Sequence, residues 1–258
     1  MKTIKLFTAI LTVVLSLSLF SVKAEAVDVS GSASADFYDN YVWRGLKLSD
    51  DHGVIQPDVS IGYQGFGAGM WGNYDMDSGI WNETDLTLSY AHSFKGLTAE
   101  AGYIHYALDG LLDTHEAYFG LSYDTYLSPA VTYYYDMRLG KGGFLVASIG
   151  HSHEIYNGIT INGGASASAN FKNDVMQIDG PDADTMPDDF SGFYNGDVSL
   201  SITIPVPIPG FPGIAIEPRV AYSFPLSTDA EMAIEGLSVD PHGAGEIVYG
   251  GIGASISF

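Results

Sequence analysis

The sequence contains no cysteine. That excludes a disulfide framework, a thiolate nucleophile and a cysteine-ligated metal centre. Positive charge is nearly as scarce: 10 lysines and arginines face 31 aspartates and glutamates, a formal net charge of −21. A phosphate backbone needs a basic face, so nucleic acid is not a partner. Charged residues of either sign make up only 16% of the chain, whereas 46% are hydrophobic. That balance is wrong for a disordered chain. Beyond Phe20 no apolar run approaches the ~20 residues a membrane-crossing helix needs. No later stretch shows a clear apolar stripe of period 3.6. What the chain does have is glycine, 31 residues, and tyrosine, 17 residues.

The first 26 residues read as a leader. Lys2 and Lys5 precede an apolar run from Leu6 to Phe20, and Ala24-Glu25-Ala26 fits the small-x-small pattern of signal peptidase. The expectation is a cleaved secretory signal over 1–26 and one domain over 27–258.

That domain alternates. Val27, Val29, Gly31, Ala33, Ala35 and Phe37 interleave with Asp28, Ser30, Ser32, Ser34 and Asp36. Val198, Leu200, Ile202 and Ile204 interleave with Asp197, Ser199, Ser201 and Thr203. A period of two makes one strand face apolar and the other polar. Twelve such segments are legible: 27–38, 54–64, 66–75, 83–94, 97–107, 114–126, 128–138, 142–154, 159–171, 193–204, 212–224 and 246–258. Each is close to the ~9–11 residues of a tilted strand crossing a bilayer. Long connections follow the odd-numbered segments, and mostly short ones follow the even-numbered segments. Outer-membrane barrels have that asymmetry, with short periplasmic turns and longer external loops.

Alternation alone does not say which face meets water. The polar face here is rich in Ser, Thr, Gly, Asn and Tyr rather than in charge. Aromatics gather near strand ends, as with Phe37, Trp71, Phe94 and Phe224. The chain ends in Phe258, with Ile256, Ala254 and Ile252 stepping back by twos. Gly253, Ile256 and Phe258 resemble the signal read by the barrel-assembly machinery. The fold expected is therefore all-β: a transmembrane antiparallel up-and-down β-barrel of about 12 strands in a bacterial outer membrane, in contact with its lipids and lipopolysaccharide.

A closer likeness follows from particular residues. Asn40-Tyr41-Val42-Trp43-Arg44-Gly45, Gln56, Gly69-Met70-Trp71-Gly72, Glu83-Thr84-Asp85-Leu86 and the pair Tyr103 and Tyr106 resemble the TorF-like family of bacterial outer-membrane porins. The likeness is clearest over 37–126 and only topological afterwards. It implies a porin-type barrel more firmly than it implies a solute.

If the polar face lines a lumen, Asp28, Asp36, Asp58, Asp85, Glu100, Glu116, Asp136, Asp197 and Glu217 point inward. By parity Arg138 and Arg219 share that face. Excess carboxylate in a bore favours cations. The same acids and arginines could instead pair and fill the bore, since twelve strands lie between the ~8 that pack solid and the ~16 that leave a wide channel. Trp43 and Arg44 sit at the rim. Arg44 could serve as a constriction charge or ligand anchor, or it could pair with an inward acid such as Asp85 or stack on an aromatic. The first loop could fold inward or stay outside. The acid-rich segment 174–189 includes Asp179, Asp182 and Asp184, oxygen donors that could hold a divalent cation or bridge lipopolysaccharide phosphates. Its spacing lacks the register of a calcium loop. His151 and His153 share one strand face while Ser152 points away, which argues against a His–Ser pair within this strand. No cofactor is implied, and no nucleophile motif points to an enzyme.

The function expected is passive diffusion of small solutes with a mild cation preference. The alternative is a non-conducting barrel that works through its acidic external loops in adhesion, envelope integrity or ligand binding.

Overall fold

The computed structural model describes residues 29–177, 190–209, 213–239 and 245–258. The leader, Asp28 and the acids Asp179, Asp182 and Asp184 lie outside these residues.

The alternating segments become β1 (Val29–Tyr38), β4 (Val54–Tyr63), β5 (Phe66–Asp75), β6 (Ile80–Phe94), β7 (Leu97–Leu108) and β8 (Thr114–Tyr123). They continue as β9 (Ala130–Asp136), β10 (Gly143–Tyr156), β11 (Ile159–Phe171), β12 (Ser191–Pro205), β13 (Ile214–Pro225) and β14 (Ile247–Ser257). These twelve form one closed barrel, each pairing with its sequence neighbour, and β1 closes the ring on β14. Closure leaves no edge strand with unpaired backbone groups, the condition for a sheet to stand in lipid.

Register fixes the faces. Asp36 pairs with Gln56, Asp58 with Trp71, Asp85 with Tyr106, Glu116 with Asp136 and Ser166 with Asp197, so these side chains share the inner face. The opposite parity carries Leu86, Leu88, Phe119, Ile149, Val198, Leu200, Val248 and Ile252, all exposed. A belt of exposed large apolar side chains around a closed barrel is a lipid-facing surface.

The two ends differ. At one end β4–β5, β6–β7 and β10–β11 turn through Gln64-Gly65, Lys95-Gly96 and Asn157-Gly158, each pair with positive φ at both positions. These are the mirror-type turns that match strand twist. The connection 124–129 is longer than the single residue expected. Strand pairing stops at Tyr123, whose N–H bonds the carbonyl of Pro129, and proline cannot donate to a ladder.

The other end holds what alternation did not show. Residues 39–53 turn inward around a small hairpin, β2 (Val42–Trp43) and β3 (Leu46–Lys47). A helix, α1 (Thr228–Leu237), follows β13. The expectation of no helical stripe is corrected here. Ala230, Ala233, Ile234 and Leu237 fall at the spacing of one helix face. Ser227 caps the helix through Ala230 N–H, and Asp229 and Glu231 suit the positive end of its dipole. The stripe is easily missed because two of its members are alanine and the segment is short. Ala230, Ala233 and Ile234 pack with Leu46, Phe144, Met176, Phe190 and Tyr194 into an apolar core at this mouth.

Candidate functional site

The inward loop is built around Arg44. The turn of the β2–β3 hairpin is Arg44-Gly45, with φ of 50° and 82°. Glycine accepts such a backbone freely, whereas arginine rarely adopts it. Tertiary contacts hold it there. The guanidinium donates from Nη1 to Glu116 Oε1 at 2.8 Å and from Nη2 to Oε2 at 2.7 Å, a bidentate pair. Tyr106 donates its hydroxyl to the same Oε2 at 2.9 Å. The cation lies 4.6 Å from the Trp43 ring centroid, 4.9 Å from Tyr134 and 4.5 Å from Phe144. The Arg44 side chain is 9% exposed and that of Glu116 is 1% exposed. Burial by itself opposes the guanidinium charge. The attraction and hydrogen bonds of Glu116, helped by Tyr106 and Tyr134, outweigh it and hold the pKa above the usual arginine value.

Further contacts tie the loop down. Tyr41 donates its hydroxyl to Glu83 at 2.8 Å and packs its ring on Trp71. Burial, then the neighbouring Glu83, push the Tyr41 phenol well above its ordinary pKa, so it stays a donor. Lys47 pairs with Asp51, its backbone N–H bonds Ser238 Oγ, and its carbonyl accepts from Val239 N–H. The hairpin, α1 and the short turn Asp174–Met176 thus form a single inner plug.

A second charge centre lies on the wall of β1, β13 and β14. Arg219 Nη2 is 3.1 Å from Asp36 and 3.2 Å from Glu217, and Nη1 donates to the Tyr38 hydroxyl at 2.6 Å. Arg219 reaches Asp36 across the intervening strand at Gly253. A Cβ on that glycine would lie 2.1 Å from Asp36 Oδ1.

Three other inward acids are held by neutral donors, whereas Asp85 Oδ1 is buried without a hydrogen-bond partner. Glu100 accepts from Tyr118, Asp136 from Thr114 Oγ1 and the Arg138 N–H, and Asp197 from Ser166 and Asn195.

No family model matches the chain, and no curated protein does. Solved structures do resemble it. The KdgM porin matches 88% of this chain and 99% of its own, with a TM-score of 0.53 at 13% identity. The KdgM porin in complex with disordered oligogalacturonate matches over 89% and 99%, with a TM-score of 0.50 at 14% identity. An outer membrane channel from Pseudomonas putida F1 covers 93% of this chain and 98% of its own, with a TM-score of 0.49 at 10% identity.

The fold is that of an outer-membrane porin.

The apolar exterior requires a lipid bilayer, and a closed twelve-stranded barrel of this fold belongs to the bacterial outer membrane. The TorF-like likeness rests on the residues quoted for it. The barrel draws several of them together: Tyr41 meets Trp71 and Glu83, and Trp43 meets Tyr106 edge to face. Gln56 donates to Asn73, which donates to Asn82.

Arg44 both pairs and stacks, but its partner is Glu116 rather than Asp85. Arg138 is exposed in the turn after β9 instead of lining the bore. The inner face also carries Glu83 and the tyrosines Tyr38, Tyr106, Tyr118 and Tyr134, which the expected set of inward acids and arginines leaves out. Glu83 shares the parity of Asp85 and was available from that alone. His151 and His153 face outward and Ser152 inward. His151 donates from Nδ1 to the Tyr126 carbonyl, 2.7 Å away, and its ring lies against that of Tyr126. Among the described residues no three His, Asp or Glu side chains are grouped to hold a metal. Ile256 faces lipid, and Phe258 exchanges two backbone hydrogen bonds with Gly31.

Proposed function

We propose that this barrel is a passive channel for small solutes that prefers cations. The observation that carries the reading is the charge of the inner wall. Asp36, Asp58, Glu83, Asp85, Glu100, Glu116, Asp136, Asp197 and Glu217 face inward, and the cations set against them, Arg44 and Arg219, are both engaged in ion pairs. Fixed negative charge on a low-dielectric wall concentrates cations and repels anions.

The plug packs against β5 to β12, where Trp71, Glu83, Tyr106, Glu116, Tyr134 and Phe144 meet it. Asp36, Asp58, Glu217 and Arg219 line the other side, and Glu217 and Arg219 keep about a third of their side-chain surface, 31% and 30%. We place the conducting path along that wall. The KdgM porin is solved with oligogalacturonate, a polyanion. An acidic wall opposes such a ligand, so the cargo proposed here is neutral or cationic.

A refolded barrel in a planar bilayer, under a salt gradient, should give steady steps with a cation-selective reversal potential. The double variant Asp58→Asn, Glu217→Gln should lower the cation-to-anion permeability ratio. A unit charge ~4 Å from a passing ion in water is worth about 1 kcal/mol, or roughly a factor of five per carboxylate. An unchanged ratio would count against the acidic wall as the selectivity element. A folded barrel that stays silent would favour the second reading, a non-conducting barrel acting through its external loops. The apolar core in the mouth supports that alternative.

A further inference from the structure

Below the Arg44 level, β7, β8 and β9 line a half-open cavity of about 260 Å³. Its lining includes Glu100, Tyr118, Ser122, Thr132, Tyr134 and Ile104. At the upper level a carboxylate, Glu116, and aromatic faces including Tyr134 hold the guanidinium of Arg44. The lower level repeats the chemistry without a cation from the chain. Glu100 takes the place of Glu116, and Tyr118 and Tyr134 stand with centroids 5.6 Å apart and planes at 37°. Among the described residues no lysine or arginine is in salt-bridge contact with Glu100.

Local sequence makes the room. The Tyr118 ring lies over Gly102, where a Cβ would come within 2.4 Å of it. Tyr118 donates to Glu100 Oε1 at 2.5 Å, which fixes the carboxylate while leaving it capacity for further donors. The hydroxyls of Ser122 and Thr132 add acceptors, and Ile104 adds an apolar surface.

We propose that this cavity binds a small primary alkylammonium ion. The three N–H donors of such an ion need oxygen acceptors, supplied by Glu100 and the hydroxyls. Its charge is attracted to the ring faces of Tyr118 and Tyr134, and its alkyl tail covers Ile104. A neutral sugar would use the hydroxyls but not the carboxylate–aromatic combination. As a waypoint for cargo the site rests on the channel reading; as a binding site it does not.

The test is calorimetric titration of the refolded protein in detergent micelles with n-butylammonium chloride, with 1-butanol and glucose as comparison probes. Heat-modifiable mobility on gels confirms that each variant is folded. Saturable binding of butylammonium is expected, at least about tenfold weaker in Glu100→Gln, since a charged hydrogen bond is lost. Tyr118→Leu, which removes a ring and the hydroxyl that orients Glu100, should weaken it as well. Absence of saturable binding, equal affinity in Glu100→Gln, or equal binding of 1-butanol or glucose would overturn the proposal. Channel recordings separate the two readings. A silent barrel that binds butylammonium keeps the site and removes the channel. A conducting barrel that does not bind it keeps the channel and removes the site.

Discussion

Replacing Glu116 by alanine is expected to expel the inner hairpin from the lumen. The Arg44 guanidinium is held by two hydrogen bonds to a carboxylate that is 1% exposed, among three aromatic rings. Removing one partner of a buried pair leaves an uncompensated charge and costs about 3–5 kcal/mol. The barrel ladder does not depend on that pair, so the penalty falls on the packed-in state of residues 39–53. An equilibrium shift of that size is a factor of roughly 10² to a few times 10³. Amide hydrogen exchange over 39–53 should accelerate strongly while the strands stay protected. In bilayers the variant should conduct more than the parent protein. Arg44→Ala combined with Glu116→Ala should disturb the loop less than Glu116→Ala alone, because no buried charge is then stranded. Unchanged exchange in Glu116→Ala would mean that the apolar core, not the ion pair, anchors the plug.

Gly251→Val is expected to prevent the barrel from closing. Gly251 lies on β14 opposite Tyr38, at the seam where the last strand meets the first. A Cβ there would stand 2.2 Å from the Phe37 carbonyl oxygen and 2.7 Å from the Tyr38 ring. The first of these is backbone in a paired strand, so no side-chain rotation relieves the clash. Closure has no substitute in lipid, where every unpaired backbone group costs several kcal/mol. The heat-modifiable folded species should be lost or reduced to a minor fraction. Gly163→Ala is the matched control. Gly163 faces outward on β11, with nothing within 4 Å of an added Cβ. It should fold like the parent. Equal folding of both variants would show that the seam tolerates a side chain at Gly251.

The alternation of residues such as Val198 to Ile204 determined by itself that these segments are strands and which side chains share a face. The period of two is a local property, and lipid outside then sends the polar set inward. That was enough to place Asp36, Asp58, Glu100, Glu116 and Glu217 on the inner face of the barrel, and to expect mostly short connections after the even-numbered segments. Parity carries no information about partners. Whether Arg44 meets Asp85 or Glu116 depends on how far its loop reaches into the bore, and residues 72 positions apart in sequence settle it. Arg219 finds Asp36 only because the ring closes with Gly253 between them. The helix after β13 gains its stability from burying Ala230, Ala233 and Ile234 against Leu46, Phe144 and Met176, which come from distant parts of the chain. Such contacts exist only once the barrel has brought these segments to one mouth. A short helix with two alanines in its stripe has too little intrinsic preference to announce itself beforehand. The wall was thus written in local periodicity, while the plug and the pairing of its charges were decided by tertiary structure, because they join groups that only barrel closure makes neighbours.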